Sequence, residues 1–206
     1  MALDDLYATL DELRSRVGIT SPDDTTDDVK MTNALTASSR GIERTCGRVF
    51  NDAGSASARV YYRDTRCLVR VDDFSTTTGL IVETDQDDDG TYETTWSSAD
   101  YQLEPLNGVV DGQPGWPFYR IRAVGSRPFP RRGRRPSVRV TARWGWTAVP
   151  SPVHEVCLIV SEELTKLKDA PFGIAGYGDY GAVRVRQNPI AMGMLAPYMR
   201  TPVLMA

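Results

Sequence analysis

The stretch VTARWGWTAVPSPVHEVCLIVSEEL, residues 140–164, contains the change of pattern on which the fold depends. Its first part alternates apolar and polar residues, which is typical of a β-strand. After Trp144-Gly145-Trp146 and a proline at position 152, apolar residues recur every three or four positions, as on one face of a helix. The stretch therefore predicts a strand that ends at the tryptophans and a helix that follows. The apolar face of that helix comprises Val153, Val156, Cys157, Val160, Leu164 and Leu167.

On the N-terminal side of this switch, the period of two extends back to about Phe50. Clusters of Gly, Pro, Asp and Asn interrupt it, as the turns between strands require. The strands expected from this pattern are residues 58–63, 67–71, 79–85, 91–96, 101–105, 119–124 and 137–144. Short strands at this spacing predict a small antiparallel barrel or sandwich.

Helical periodicity precedes and follows these strands. The first helix is expected from Leu3 to Val17, because apolar residues there recur at spacings of three and four. The second is expected from Ser21 to Cys46, although weak helix formers near its start leave that start open by one turn. Its expected inner face is Val29, Leu35, Ser38, Ile42 and Cys46. A last short helix is expected from residue 189 to Ala196.

The order of these elements predicts an α+β fold. A helical base, made of three main helices plus a C-terminal arm, carries a large antiparallel β insertion between helices 2 and 3. The expected boundaries are residues 1–50 and 149–170 for the base, 51–148 for the insertion and 171–206 for the arm. Since insertions are tolerated where their two ends lie close together, we expect residues 51–148 to form an independent unit.

Bulk composition excludes several classes of protein. The chain has 206 residues, a hydrophobic fraction of 41%, a charged fraction of 25% and a net charge of −3. These values are typical of a globular protein and argue against a general nucleic-acid coat. No apolar run has the length of a membrane span, and the first residues carry acids where a signal peptide carries Lys or Arg. We therefore expect a protein that is cytosolic when made and has no membrane partner.

The cysteines Cys46, Cys67 and Cys157 are far apart and show no CxxC spacing. A reduced, buried thiol is the expectation for all three.

The acidic stretch Asp85-x-Asp87-x-Asp89-Gly90 matches the first half of a calcium-binding loop. The match is incomplete, because Trp96 stands where the bidentate glutamate belongs and a strand follows instead of a helix. A plain acidic turn explains every residue, since Asp-Gly supplies the positive φ angles of a hairpin. We therefore expect no metal and no cofactor.

The segment GSRPFPRRGRRP, residues 125–136, combines five arginines with three prolines. Such a stiff basic loop is either a solvated hairpin tip or a contact with DNA phosphates or with an acidic partner. The candidate contact residues are Arg131, Arg132, Arg134 and Arg135.

Catalytic motifs do not emerge from the sequence. His154 is the only histidine, and no serine, cysteine or acid has the spacing of a nucleophile–base set with it. Phosphate-binding glycine loops, HExxH and zinc spacings are also missing from the sequence. The tryptophans at positions 144 and 146 are expected to fill the junction between insertion and base. The sequence therefore predicts a protein that is not an enzyme.

Three blocks together resemble the head-to-tail adaptor, or head-completion connector, proteins of long-tailed phages, especially those infecting actinobacteria. They are ASSRGIERTCGRVF (37–50), LVRVDDFSTTTGLIVETDQDDDGTYE (68–93) and the passage 140–164 quoted above, joined by the Met- and Pro-bearing tail. The resemblance implies a structural protein of the virion neck, assembled in the host cytoplasm. It implies a twelvefold homo-oligomeric ring between the portal and the stopper or tail-terminator ring, with double-stranded DNA passing through the lumen without sequence specificity.

The arm, residues 171–206, has too few helical turns to stabilise itself. We expect it to dock on the portal or on a neighbouring subunit, because aromatic and Met anchors suit partner grooves. The expected contact residues are Tyr177, Tyr180, Met192, Met194, Leu195, Tyr198, Met199 and Leu204.

Two alternatives stay open from the sequence. One is another connector ring, a stopper or a tail terminator, for which we would expect mainly strands. The other is a monomeric, calcium-assisted carbohydrate-binding module that uses the acidic stretch and the aromatics Trp96, Trp116 and Tyr119.

Overall fold

A computed structural model describes residues 5–21, 23–131, 133–166 and 185–200 of the chain. The chain divides into two compact units, Met1–Phe50 with Val149–Ala206, and Asn51–Ala148. We call them the helical unit and the β unit. The fold is α+β, and every strand pairing is antiparallel among the described residues. Within the described residues, no helix combines the length and the apolar character needed to cross a membrane.

The helical unit includes the α-helices α1 (Leu10–Arg16), α2 (Asp28–Cys46), α3 (Ser151–Lys166) and α4 (Pro189–Leu195). A short 3-10 helix, Ala196–Tyr198, follows α4. Every described residue of the apolar face predicted for α3 is buried, and the helix begins at the predicted serine. The last helix also lies where the sequence predicts it.

Small residues bring α2 and α3 together. Ser161 donates a hydrogen bond to Ser38 at 2.9 Å, and the hydroxyl of Ser39 lies 3.5 Å from the sulfur of Cys157. All of these side chains are buried. A buried hydroxyl without a partner destabilises the fold, and these pairs avoid that cost where the two helices approach closely.

The first helix starts later than predicted. Thr9 and Glu12 form a capping box, in which each side chain binds the backbone N–H of the other residue. Tyr7 lies before this cap, donates its backbone N–H to Ser39 at 3.1 Å and its hydroxyl to Glu43 at 2.7 Å. These bonds to α2 replace helical bonds, so α1 begins at Leu10 rather than Leu3.

The second helix also starts late, at Asp28 rather than Ser21. It ends at Cys46, as predicted, because Gly47 adopts the left-handed conformation that closes a helix. Val29 is 76% exposed, so its assignment to the inner face is wrong, and the buried face begins at Met31. The other residues predicted for that face are buried.

The β unit contains all seven predicted strands, which form two antiparallel sheets. One sheet has the order β1-β7-β3-β4 and the other the order β2-β6-β5. The strands are β1 (Ala56–Tyr61), β2 (Leu68–Phe74), β3 (Ile81–Thr84), β4 (Thr94–Thr95), β5 (Tyr101–Glu104), β6 (Phe118–Ala123) and β7 (Val138–Arg143).

The two sheets share one core. Strand β7 contributes every second residue, Val138, Val140 and Ala142, each with no exposed surface. A bridge between Phe74 of β2 and Trp144, just after β7, links the sheets. The predicted alternation of β7 therefore places its apolar residues inside.

The two tryptophans after β7 have hydrogen-bond partners within the β unit. Trp144 donates its indole N–H to the carbonyl of Ser57 at 2.9 Å, and Trp146 donates to the carboxylate of Asp73 at 3.1 Å. The ring of Trp146 also contacts Trp116, with centroids 5.2 Å apart. Their predicted role at a junction with the helical unit stays a prediction.

Two of the three cysteines are buried as expected, and the third is not. Burial raises the pKa of the Cys46 thiol to about 12 and also raises the pKa of Cys157. Cys67 is exposed, because it lies in the turn before β2, where its backbone N–H binds the hydroxyl of Thr65. The prediction of burial is therefore corrected for Cys67.

Candidate functional site

The described part of the C-terminal arm, residues 185–200, packs within the helical unit. Val185, Ala191 and Leu195 have no exposed surface. The prediction that Leu195 contacts a partner is therefore corrected, because its side chain belongs to the core of its own chain. Tyr177, Tyr180 and Leu204 lie outside the described residues.

Polar contacts hold both ends of this segment. Asn188 caps α4 by accepting the N–H groups of Ile190 and Ala191 at 3.0 Å, and its side-chain amide donates to Glu163 of α3 at 2.6 Å. Farther along, the backbone N–H of Arg200 donates to the carbonyl of Cys46 at 2.8 Å. These contacts fix the chain on either side of α4.

The outer surface of α4 remains apolar. Ile190 is 65% exposed, and several of the predicted contact residues are half-buried. Those half-buried residues are Met192, Met194, Tyr198 and Met199. The arm therefore has an inner side that completes a core and an outer side with apolar atoms in solvent, which its sequence alone does not separate.

The acidic stretch and the arginine-rich segment meet in the β unit. Asp88 accepts the backbone N–H groups of Arg134 and Arg135, both at 3.0 Å. The guanidinium of Arg135 donates to the carbonyl of Asp89. We call residues 85–90 the acidic turn and residues 127–135 the arginine segment. Two features that the sequence presents separately are one structure, so the segment is not a hairpin tip that only solvent surrounds.

A glycine permits this contact. A Cβ atom on Gly133 would lie 2.5 Å from the carboxyl group of Asp88, closer than side chains approach. Tyr62 and Tyr92 support the end of this segment. Tyr62 donates its hydroxyl to the carbonyl of Arg134 at 3.1 Å, and Tyr92 donates to the carbonyl of Pro136, directly after the segment, at 2.8 Å. Nothing in the sequence pairs these stretches, because their contact joins residues 46 positions apart.

The carboxylates of Asp85, Asp87 and Asp89 each offer an oxygen within 4.8 Å of the others. Both oxygens of Asp85 accept backbone N–H groups of the same turn, from Asp88 and Gly90 at 2.8 Å. Asp89 accepts the N–H of Thr91 at 2.6 Å. These bonds are what a tight acidic turn requires without any cation.

We expect a calcium chelator to leave the melting temperature of the protein unchanged. A bound ion stabilises the state that binds it, so its removal would lower the melting temperature. The measurement is a thermal melt with EDTA and with added Ca²⁺. A clear shift that Asp87→Ala abolishes would instead show that the turn holds calcium.

The acidic turn should weaken in acid. The N–H groups of Arg134 and Arg135 lower the pKa of Asp88. A carboxyl whose pKa is lower in the folded than in the unfolded protein stabilises the fold at every pH above the unfolded pKa of about 4. This stabilisation is lost as the pH falls through the folded pKa. The melting temperature should therefore fall more steeply for the wild type than for Asp88→Asn as the pH is lowered from neutral to about 3. Parallel curves would contradict this role of Asp88.

The tryptophans proposed for a carbohydrate platform are not exposed. Trp96 is 4% exposed and stacks on Phe129, with ring centroids 4.5 Å apart. Trp116 is 9% exposed. A sugar platform needs accessible ring faces, so the expectation for these residues is corrected, and Tyr119 alone stays partly accessible.

His154 faces an acid rather than a nucleophile. Its imidazole lies 3.2 Å from the carboxylate of Glu12. Within the described part of the chain, its ring has no hydrogen bond to a serine, threonine or cysteine. The arrangement is that of a surface pair between α3 and α1, and it lacks the nucleophile that covalent catalysis requires.

The fold is similar to that of chains from gene transfer agent particles. One is in the neck of an empty particle, computed with sixfold symmetry, with a TM-score of 0.55 and 16% identity. Another is in the virion of a native particle, with a TM-score of 0.54 and 16% identity. Each match covers 96% of this chain and 91% of the other. No family model matches the sequence, and no curated protein matches it.

Proposed function

We propose that the chain is a non-catalytic structural protein of a phage-like neck. The observation that carries this proposal is the likeness of fold over 96% of the chain to a neck chain of a gene transfer agent particle. Because the match spans nearly the whole of both chains, both units of this protein contribute to it. The sequence resemblance to adaptor proteins points independently to the same place in a virion.

Within the neck, the proposed role is that of the head-to-tail adaptor. The chain forms a ring that docks on the portal and meets the stopper or tail-terminator ring, and double-stranded DNA passes through the lumen. The order helix, β insertion, helix supports the adaptor over a mainly β-stranded stopper or terminator. A twelvefold axis includes sixfold rotation, so the proposed twelvefold ring is compatible with the sixfold symmetry with which that neck was computed. Assembly takes place in the host cytoplasm.

The proposed portal or subunit contact is the outer side of the arm. Its described residues are Met192, Met194, Tyr198 and Met199. Tyr177, Tyr180 and Leu204, which lie outside the described residues, are proposed as further contacts of the arm. Partly accessible Met and Tyr side chains next to a fixed core are suited to a partner groove. The arginines 131, 132, 134 and 135 are the proposed contacts to DNA or to an acidic ring surface.

Negative-stain imaging of the protein mixed with a portal protein from the same virus tests the proposal. We expect rings of the chain on one end of the portal. A monomer that does not bind the portal and binds glycans would support the carbohydrate-binding module instead. Rings that form only on the tail side of an already capped portal would identify a stopper or terminator.

Residues 51–148 should fold when expressed alone. The described core of the β unit is formed by residues of both sheets, from Val69 to Trp144. A domain with its own core does not need the rest of the chain. Circular dichroism and a cooperative urea transition of the fragment measure this. A fragment without such a transition would show that the β unit is not an independent insertion.

A further inference from the structure

A cleft in the β unit is lined by four arginines. Its volume is about 690 Å³. Ligand pockets measure roughly 300–1,000 Å³, so the cleft can receive a few side chains of a partner. Its lining residues are Arg63, Arg66, Gln86, Thr94, Arg127, Pro128, Phe129, Pro130 and Arg131, and we call it the arginine cleft. None of these residues is acidic.

The positive charge of the cleft is only partly compensated. Arg127 lies 3.5 Å from Asp100, and Arg63 donates to the carbonyl of Phe129 at 2.7 Å. Arg66 and Arg131 are exposed, and neither has a carboxylate within 4.0 Å among the described residues. Exposed guanidinium groups that line one cleft and have no carboxylate partner attract an anion.

The wall of the cleft is well ordered by its contacts. Phe129 is 1% exposed and stacks on Trp96, and its backbone N–H donates to the carbonyl of Arg66 at 3.0 Å. Prolines on both sides of Phe129 restrict the backbone further. A binding site whose frame is already fixed loses less entropy when it is occupied.

All basic residues of the β unit are arginines, since residues 51–148 contain no lysine or histidine. Planar guanidinium groups bind carboxylates in a bidentate manner, which an ammonium group cannot do. A concave cleft of this volume fits a few carboxylates better than duplex DNA, because a duplex presents its phosphates along a broad rod and contacts wide basic surfaces. The chemistry of the cleft therefore fits an acidic protein segment.

The helical unit offers such a segment. Residues 23–28, DDTTDD, contain four aspartates in six positions, and Asp23 and Asp24 are exposed. Arg14 fixes the loop by donating to the carbonyls of Ser21 at 2.8 Å and Asp24 at 2.5 Å. The other run of aspartates, the acidic turn, already binds the arginine segment.

We infer that the arginine cleft binds residues 23–28 of a second copy of this chain. The two surfaces differ, so the contact is heterologous, and such contacts repeat from subunit to subunit until a ring closes. The inference rests on the proposed ring and adds to it the side chains that join neighbouring subunits. Asp28 pairs with Arg14 of its own chain at 3.5 Å, so the exposed Asp23 and Asp24 of one subunit supply the carboxylates. Arg66 and Arg131 of the next subunit supply the guanidinium groups.

A peptide titration tests the cleft independently of ring formation. The probe is a fluorescently labelled peptide of residues 19–30, ITSPDDTTDDVK, added to the full-length protein and followed by anisotropy. We expect salt-sensitive binding that weakens at least about tenfold in Arg66→Ser/Arg131→Ser, which corresponds to about 1.4 kcal/mol for the two lost charge pairs together. The matched control is Arg122→Ser/Arg143→Ser, which removes the same charge from arginines outside the cleft and should bind the peptide as the wild type does.

The full chain supplies the second arm of the test. Asp23→Arg/Asp24→Arg and Arg66→Asp/Arg131→Asp should each weaken self-association in sedimentation velocity, and one chain with all four changes should regain it. Peptide binding that is equal in the cleft variant and the control overturns the inference. The inference is also overturned if the wild type does not bind the peptide, or if the cleft variant loses binding to duplex DNA but keeps binding to the peptide. Rings that form normally in that variant would leave the neck role standing and remove this contact from it.

Discussion

Replacing Gly145 with alanine is expected to prevent normal folding of the β unit. Gly145 has a φ of +106°, and a Cβ atom there would lie 1.7 Å from the carbonyl oxygen of Asn51. Its own N–H donates to the carbonyl of Asp73 at 2.6 Å. Both neighbours are backbone atoms, so no flexible side chain can move aside. We expect a loss of more than about 4 kcal/mol, or no cooperative unfolding transition.

The control for this prediction is Gly112→Ala. Gly112 has a similar positive φ of +77°, but a Cβ atom there would meet nothing within 4 Å. That variant should lose only the roughly 1–2 kcal/mol of an unfavourable left-handed conformation. Urea denaturation followed by tryptophan fluorescence compares the two. Equal losses would show that the chain around Asn51 adapts, and that the close approach does not constrain the fold.

The strand that precedes this glycine shows which parts of the fold can be predicted from sequence. Alternation along β7 identifies the strand and its buried side, because burial of one face repeats every second residue. The same holds for α3, where the residues that recur every three or four positions in the sequence form the buried face of the helix. Local patterns suffice wherever one side of an element faces one continuous core.

The start of α1 shows where local pattern fails. Apolar spacing continues through Leu3, Leu6 and Leu10, yet the helix begins only after Thr9. The capping box and the bonds of Tyr7 to α2 decide the boundary, and the second of these is a tertiary contact. Periodicity reports which residues can share a face, and it does not report where hydrogen bonds to another element end the helix.

The candidate sites depend even more on contacts between distant residues. The acidic turn and the arginine segment each suggest a ligand when taken alone, whereas Asp88 binds the backbone of the segment. Trp96 and Trp116 look available by sequence and are buried. Arg63 and Arg66 belong to a strand connection far from the proline-rich segment, so the arginine cleft exists only in the folded chain. Charge and aromatic content therefore predict candidate residues, but they do not predict which of these residues are buried or already bound to partners within their own chain.

The second large effect is expected from Leu195→Ala. Leu195 has no exposed surface and lies in α4, which packs on α3. Truncating a fully buried leucine removes its burial and leaves a cavity, which costs about 2–5 kcal/mol. We expect the free energy of unfolding of the helical unit to fall by that amount. Helical circular dichroism during urea denaturation measures it, since the described α-helices all belong to this unit.

The matched control on the same helix is Ile190→Ala, which removes apolar atoms from a residue that is 65% exposed. Its stability should change by no more than about 0.5 kcal/mol. If the outer side of α4 contacts the portal, Ile190→Asp and Met194→Asp should instead reduce portal binding in chains that remain fully folded. Deletion of residues 185–206 cannot make this distinction, because it removes Val185, Ala191 and Leu195 from the core together with the outer side. Equal stability of Leu195→Ala and Ile190→Ala would mean that the arm does not complete the core and serves assembly alone.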